Sequence, residues 1–142
     1  MSTGLAVFDT SIQDANLLLK DVEAELADCS RQEAYAALRA VLHAVRDRLP
    51  AHEAVNFAAQ LPMLVRGLYY EGWTLPEKPK RTASLEEFGD AVRDLLPPRY
   101  RFDPIMAAKA VFAAITEAVS EGEAEKVASQ LPAPIGDLWA RA

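Results

Sequence analysis

The sequence predicts an all-α protein, an orthogonal bundle of about eight helices, and three observations lead to this fold class. Apolar residues recur at three- and four-residue steps, which places them on one face of a helix. Helix-start signals are frequent along the chain. Strand signals are nearly absent, because no Asn-Gly or Asp-Gly pair marks a hairpin and no long stretch alternates between apolar and polar residues.

Four helices are predicted in the first half of the chain. Leu18, Val22 and Leu26 follow at four-residue steps and support the first of them. Ser30 and Glu33 have the spacing of a capping box, in which each side chain bonds to a backbone N–H group that the first turn leaves free. The predicted helices span residues 11–28, 31–49, 51–60 and 62–71.

The second half repeats this order. Ser84 and Ser120 are each followed three residues later by a glutamate, as in a capping box. Asp103 precedes Pro104, so a capping residue stands before a proline at the first helical position. The predicted helices span residues 84–96, 104–119, 121–130 and 132–140.

Prolines indicate where helices end and restart. Gln-Leu-Pro occurs at residues 60–62 and again at 130–132, and proline disfavours helical geometry in the residue before it. The Pro-containing stretch 72–83 is predicted to be a connection, as is the shorter stretch 97–102.

The chain also resembles itself. At a shift of 70 residues, segment 40–69 aligns without a gap on segment 110–139, and 10 of the 30 aligned pairs are identical. Self-similarity at a fixed period indicates repetition of a supersecondary unit that cannot bury its own apolar face. We therefore expect two sequence-similar halves, about residues 11–71 and 84–140, that share one core.

Length and charge exclude several classes of protein. With 142 residues, the chain has the length of one domain, and residues 1–142 are expected to form a single helical domain. Its net charge is −6, which does not favour nucleic acid, since clustered Lys and Arg neutralise phosphates. Apolar runs are too short to span a bilayer, and a single cysteine cannot build a disulfide framework. We expect a soluble, cytoplasmic protein that binds neither nucleic acid nor membrane.

Residues that could catalyse a reaction or hold a metal are scattered. His43 is expected on the flank of an apolar stripe and His52 in solvent. Their spacing does not predict that the two side chains converge on one metal ion. Most carboxylates fall in first turns of helices, where negative charge is favoured, and Glu123 is expected to complete a capping box. An aspartate precedes Cys29 and is expected to raise the pKa of its thiol. No catalytic residue, metal site or cofactor is therefore expected.

The densest aromatic patch is the segment from Arg66 to Trp73. The candidate ligand- or partner-binding residues are Arg66, Tyr69, Tyr70, Trp73 and Trp139. Two interpretations stay open: these residue types dominate interface hot spots, and aromatic residues also pack cores. Tyr69 aligns with Trp139 in the repeat, which favours packing for that pair, whereas Tyr70 and Trp73 have no aromatic counterpart.

Five stretches together carry a resemblance to a known family. They are AVLHAVRDRLP at residues 40–50, AQLP at 59–62, RGLYYEGW at 66–73, EEF at 86–88, and the stretch from GEAE at 122–125 to QLP at 130–132. The chain resembles the bacterial domain-of-unknown-function family 2267 from about residue 12 to its end. The resemblance implies an all-helical domain with a globin-like arrangement of helices, and it implies no established activity or binding residue.

Three functions remain as hypotheses. The leading one is a non-catalytic module that acts through contact with a protein partner or by self-association, for example as a homodimer. The alternative is a small-molecule-binding protein with an apolar cavity between the two halves; a haem or other pigment held by His43 is its special case, by analogy with globins. The third hypothesis is an enzyme. It ranks last because the sequence shows no recognisable pattern of a nucleophile and a base.

Overall fold

A computed structural model describes residues 2–142, and in that range the chain forms eight α-helices and no strand. The helices are α1 (Ala6–Glu25), α2 (Arg31–Arg46), α3 (Ala51–Ala59), α4 (Met63–Tyr70), α5 (Leu85–Leu95), α6 (Pro104–Ala118), α7 (Glu121–Gln130) and α8 (Ala133–Ala140). The all-α fold class is confirmed. Among these residues, no helix combines the length and the apolar content that crossing a bilayer requires.

The largest difference from the predicted boundaries is the start of α1, which lies at Ala6 and not at residue 11. Leu5, the residue before the helix, supplies no side-chain cap. Instead the Asp9 carboxylate accepts hydrogen bonds from the backbone N–H and the hydroxyl of Thr3, at 2.7 and 2.9 Å. These bonds lower the pKa of Asp9. A carboxylate that reaches backward from the first turn is missed by a search for N-cap residues.

The predicted capping boxes form to different extents. Between Ser30 and Glu33 both bonds are present: the Glu33 N–H donates to the Ser30 hydroxyl at 3.1 Å, and the Ser30 N–H donates to the Glu33 carboxylate at 2.9 Å. Ser84 accepts from the Glu87 N–H, but the Glu87 carboxylate accepts from Ala83. At both sites, therefore, the serine hydroxyl accepts a hydrogen bond from the glutamate N–H, but only Ser30 donates its own N–H to the glutamate carboxylate.

The core is built around α6. This helix is apolar nearly all round, and α1, α2, α5, α7 and α8 all contact it, as is typical of a buried helix. Its fully or almost fully buried side chains are Ala107, Ala108, Ala110, Val111, Phe112, Ala114 and Ile115. Buried apolar residues from both halves of the chain belong to one cluster.

Helices α7 and α8 approach closely at Gly136. A Cβ atom at this position would collide with the backbone carbonyl oxygen of Ala128. A glycine is therefore required for the tight packing of these two helices.

Helices in the two halves occur at related positions. Helices α3 and α7 begin at Ala51 and Glu121, and α4 and α8 begin at Met63 and Ala133, so each pair is 70 residues apart. Helices α3 and α7 also contact each other. The duplication, the single-domain organisation and the globin-like arrangement stay predictions.

Candidate functional site

A column of aromatic rings runs from the surface near α4 through the core. Its members, in order, are Trp73, Tyr70, Tyr69, Phe57, Trp139, Phe112 and Phe88. Neighbouring ring centroids lie 4.6 to 6.3 Å apart, the range that aromatic pairs prefer. Because the rings come from five helices and the connection after α4, the column joins the N-terminal and C-terminal parts of the chain.

Four of the five predicted site residues belong to this column, and two of them lie in its buried part. Tyr69 is 0% exposed and its hydroxyl donates to the carbonyl oxygen of Ala54 at 2.8 Å; burial raises its pKa. Trp139 is 4% exposed and its indole N–H donates to the hydroxyl of Thr116 at 2.9 Å. Both polar groups are thus satisfied within the protein, so neither is directed at a ligand.

A third predicted residue, Arg66, has its guanidinium group at the end of α3. The guanidinium donates to the carbonyl oxygens of Ala58 and Leu61, at 3.0 and 3.1 Å. The last carbonyls of a helix lack intrahelical partners and attract cations. Arg66 therefore caps α3 from the next helix.

The remaining two, Tyr70 and Trp73, keep part of their surface accessible. Their rings stack with centroids 5.7 Å apart. The indole Nε1 of Trp73 is buried and finds no hydrogen-bond acceptor among the described residues. The structure therefore separates the predicted set: three residues satisfy internal contacts, and these two stand at the outer end of the column.

Side chains of α2 hold the C-terminal end of α4. The Nε2 atom of His43 lies 2.8 Å from the carbonyl oxygen of Leu68, and since a carbonyl only accepts, Nε2 carries the proton. The Arg46 guanidinium donates to the carbonyl oxygens of Tyr69 and Glu71, both at 2.9 Å. These contacts satisfy carbonyls that the helix end leaves free.

His43 is more buried than its position on the apolar stripe predicts. It is 3% exposed. Burial is the main cause that lowers its pKa, and the positive charges of Arg46 and Arg39 lower it further, whereas the hydrogen bond to Leu68 acts to raise it. Its environment favours a neutral imidazole that acts as a hydrogen-bond donor. His52 is exposed, and within residues 2–142 no three His, Cys, Asp or Glu side chains converge as metal ligands.

A buried carboxylate links α3 to α7. Glu53 is 5% exposed, and its Oε1 lies 3.6 Å from the ammonium of Lys126, while its Oε2 has no hydrogen-bond donor among the described residues. The prediction that Glu123 completes a capping box is wrong: its N–H donates to Ser120, but its own Oε1 is buried without a partner in the described chain. Helix α3 packs on α7 at this place, and the local motif carries no information on such a contact.

The pKa of the Cys29 thiol is raised, as the sequence predicts, but the adjacent aspartate is not the cause. Partial burial is the main cause, followed by the charges of Glu33 and Glu23. A thiol with a raised pKa is a weak nucleophile at neutral pH.

An apolar groove lies between α1 and α4, and we call it the α1–α4 groove. It has a volume of about 360 Å³ and is lined by Thr3, Phe8, Ser11, Ile12, Met63, Leu64 and Gly67. A second depression of about 370 Å³, which includes Leu19, Tyr35 and Leu68, continues it past the shared residues Leu64 and Gly67. Phe8, Met63 and Leu64 are 47%, 48% and 55% exposed.

Part of the groove lining is bare backbone, at Gly67. A Cβ atom at Gly67 would meet no heavy atom within 4 Å, so the space above this residue is open. The two walls are tied together by Ser11, whose hydroxyl accepts a hydrogen bond from the backbone N–H of Leu64 at 2.8 Å. Clustered, exposed apolar side chains around an open depression are typical of a binding surface.

Sequence reasoning missed this groove although one signal was present. Met63 and Leu64 begin a helix whose buried residues are Val65 and Tyr69, so they are apolar residues that lie off the buried face. Phe8 stands before residue 11, where the first helix is predicted to begin. That α1 and α4 pack side by side cannot be predicted from residue spacing, because the two helices are far apart in the chain.

Comparison with known proteins identifies the family. No curated protein matches the chain. A family model does match, over residues 15–138, and it is described as an uncharacterized conserved protein family. Since the match covers most of the chain, this protein belongs to the DUF2267 family.

Proposed function

We propose that this protein is a non-catalytic interaction module that associates with a second copy of itself through the α1–α4 groove. The observation that carries the proposal is the exposure of Phe8, Met63 and Leu64 around the open backbone of Gly67. Exposed apolar surface is stabilised when a partner removes it from water, at about 25 cal/mol per Å².

A second copy suits this surface because the patch contains both a projection and a recess. In a two-fold symmetric interface the same patch meets itself, so a side chain from one protomer must find a recess beside its own position on the other. Phe8 and Met63 are exposed side chains of this patch, and Gly67, which has no side chain, leaves open space in the same lining. An apolar lining also restricts the occupant, since a polar side chain placed there would lose its hydrogen bonds to water.

The alternative, a small molecule held between the two halves, has less support. The rings of Phe57, Trp139 and Phe112 stack in the region where α3, α8 and α6 meet, and that space is filled by side chains. For a pigment on His43, its Nε2 is already engaged with the carbonyl oxygen of Leu68.

Sedimentation equilibrium over a range of concentrations tests the proposal. We expect a concentration-dependent dimer for the wild-type protein and a monomer for Leu64→Glu, because a carboxylate in the groove would be desolvated on association. Met106→Glu is the matched control: Met106 is 54% exposed on α6 and takes no part in the groove, so this variant should still dimerise. A wild-type monomer at every concentration, or a Leu64→Glu variant that dimerises equally well, would overturn the proposal.

A further inference from the structure

We propose that the cleft between the start of α2 and the connection from α5 to α6 binds a small organic anion, with its carboxylate or phosphate group on Arg99 and Arg39. The cleft has a volume of about 570 Å³, a size typical of sites for small ligands. This inference is independent of dimerisation through the α1–α4 groove.

The connecting segment that forms one wall is held firmly against α2. The Arg101 guanidinium donates to both carboxylate oxygens of Glu33, at 2.6 and 3.1 Å, and also to the carbonyl oxygen of Asp28. The Tyr100 hydroxyl donates to the backbone carbonyl of Glu33 at 2.6 Å. Ligand binding therefore needs little further ordering of this wall, which lowers its entropic cost.

The charges in the cleft leave a positive excess. Three arginines, Arg39, Arg99 and Arg101, line it together with one carboxylate, Glu33. The bonds from Arg101 and Ser30 lower the pKa of Glu33 to about 2. Glu33 is thus ionised at neutral pH and paired with Arg101, so its charge is compensated locally. Arg39 is paired in the same way with Glu71, at 2.9 Å, so the uncompensated positive charge of the cleft lies on Arg99, and Arg39 adds hydrogen-bond donors.

These two guanidinium groups have donors to spare. Arg99 makes no hydrogen bond or ion pair with any residue in the range 2–142 through its side chain. Arg39 binds only one oxygen of Glu71, through Nε at 3.1 Å and Nη2 at 2.9 Å. Its Nη1 lacks a partner in the described chain, and guanidinium groups bind carboxylate and phosphate oxygens well.

Apart from Gln32, the rest of the lining is mainly apolar or aromatic and suits a ligand that carries an apolar or aromatic group. Tyr35 is 41% exposed and lies on α2, across from the consecutive prolines Pro97 and Pro98. Rigid rings of this kind provide contact area at a small loss of conformational entropy. An inorganic anion would use the arginines alone, so an attached apolar group should add affinity.

The test is a titration followed by amide chemical shifts in two-dimensional NMR. The probes are phenyl phosphate and benzoate. Two compounds serve as controls: inorganic phosphate, which is an anion without an aromatic ring, and benzyl alcohol, which has the ring without a charge. We expect both aromatic anions, at millimolar concentrations, to shift the amides of residues 35–39 and 99–101. The comparison of phenyl phosphate with benzoate shows which oxyanion the site prefers.

Variants separate a site from general attraction to positive charge. The double variant Arg39→Gln/Arg99→Gln should weaken binding of the preferred probe about tenfold, since it removes two exposed charge-assisted contacts. Arg93→Gln is the control, because Arg93 is exposed on α5 and pairs with Asp90 outside the cleft. Unchanged binding by the double variant, equal binding of benzyl alcohol and benzoate, or an absence of shifts in the two segments with both aromatic anions would overturn the proposal.

Discussion

The hydroxyl of Ser11 accepts a hydrogen bond from the backbone N–H of Leu64 at 2.8 Å, and this bond joins α1 to the first turn of α4. Pro62, the residue before α4, supplies no side-chain cap, so a side chain from another helix caps this end. The bond sets the distance between the two walls of the α1–α4 groove.

Replacing Ser11 by alanine should therefore destabilise the protein. We expect Ser11→Ala to lower the free energy of unfolding by about 1 kcal/mol, the usual effect of losing a helix cap, as measured by urea denaturation. Ser129→Ala is the control, since the exposed Ser129 hydroxyl donates only to Lys126 on its own helix, and its stability should hardly change. Equal stability of Ser11→Ala and the wild-type protein would contradict this role.

The close approach of α7 and α8 at Gly136 predicts a larger loss. Gly136→Ala should lower the free energy of unfolding by about 2 kcal/mol, because the added Cβ collides with the Ala128 carbonyl and must displace backbone. Gly122→Ala, at a helical position with open space around it, should be neutral or stabilising. Thermal and urea denaturation of both variants measure the difference, and a Gly136→Ala variant as stable as Gly122→Ala would show that α8 is not fixed there.

Gly67 allows stability and association to be separated. Gly67→Ala should keep or raise the free energy of unfolding, since alanine favours a helix by up to about 1 kcal/mol over glycine and no atom opposes the new Cβ. The same methyl group adds a side chain to the groove lining and should weaken dimerisation about tenfold, corresponding to an overpacking cost of about 1.4 kcal/mol. Sedimentation equilibrium measures the dissociation constant of the dimer. A Gly67→Ala variant that is less stable but dimerises as strongly as the wild-type protein would contradict this prediction.

The burial of His43 predicts how stability depends on pH. Its pKa lies below the ordinary 6.5 in the folded protein, so the unfolded chain takes up a proton at a higher pH than the folded protein does. The contribution of His43 to the free energy of unfolding is therefore complete above pH 6.5 and is lost as the pH falls from 6.5 towards the lowered pKa.

Urea denaturation at neutral and mildly acidic pH checks this dependence. His43→Gln should remove part of the decrease in stability between these conditions, whatever its effect at neutral pH. The wild-type protein is the reference, because His52, whose Nε2 lies 3.3 Å from the buried Glu53 carboxylate, is left in place in both proteins. If His43→Gln and the wild-type protein show the same slope, the pH dependence does not come from His43.

Most of the fold can be predicted from the sequence because its signals are local. The starts of the seven helices from α2 to α8 agree with prediction within one residue, since Ser30, Asp103 and the prolines act on neighbouring backbone. The start of α1 is the exception, because it has no side-chain cap and the Asp9 carboxylate instead holds Thr3, which precedes the helix.

The candidate surfaces could be predicted only in part, because they depend on contacts between distant segments. His43 is buried by its contact with Leu68, 25 residues away, and Arg66 is occupied by carbonyls at the end of α3. The α1–α4 groove requires Ser11 to meet Leu64 across 53 residues. Residue spacing shows which side chains share a helix face, but not which helix covers that face.

Paramagnetic relaxation between protomers tests self-association through the groove most directly. A nitroxide label is attached at Thr10→Cys in a Cys29→Ser background, and this protein is mixed with ¹⁵N-labelled protein of native sequence. Thr10 is exposed on α1 close to Phe8. We predict selective broadening of the amides of residues 63–67 in the ¹⁵N-labelled protomer, lost when Leu64→Glu is introduced in both proteins. Broadening that is absent, or that is spread evenly over the surface, would contradict the proposed interface.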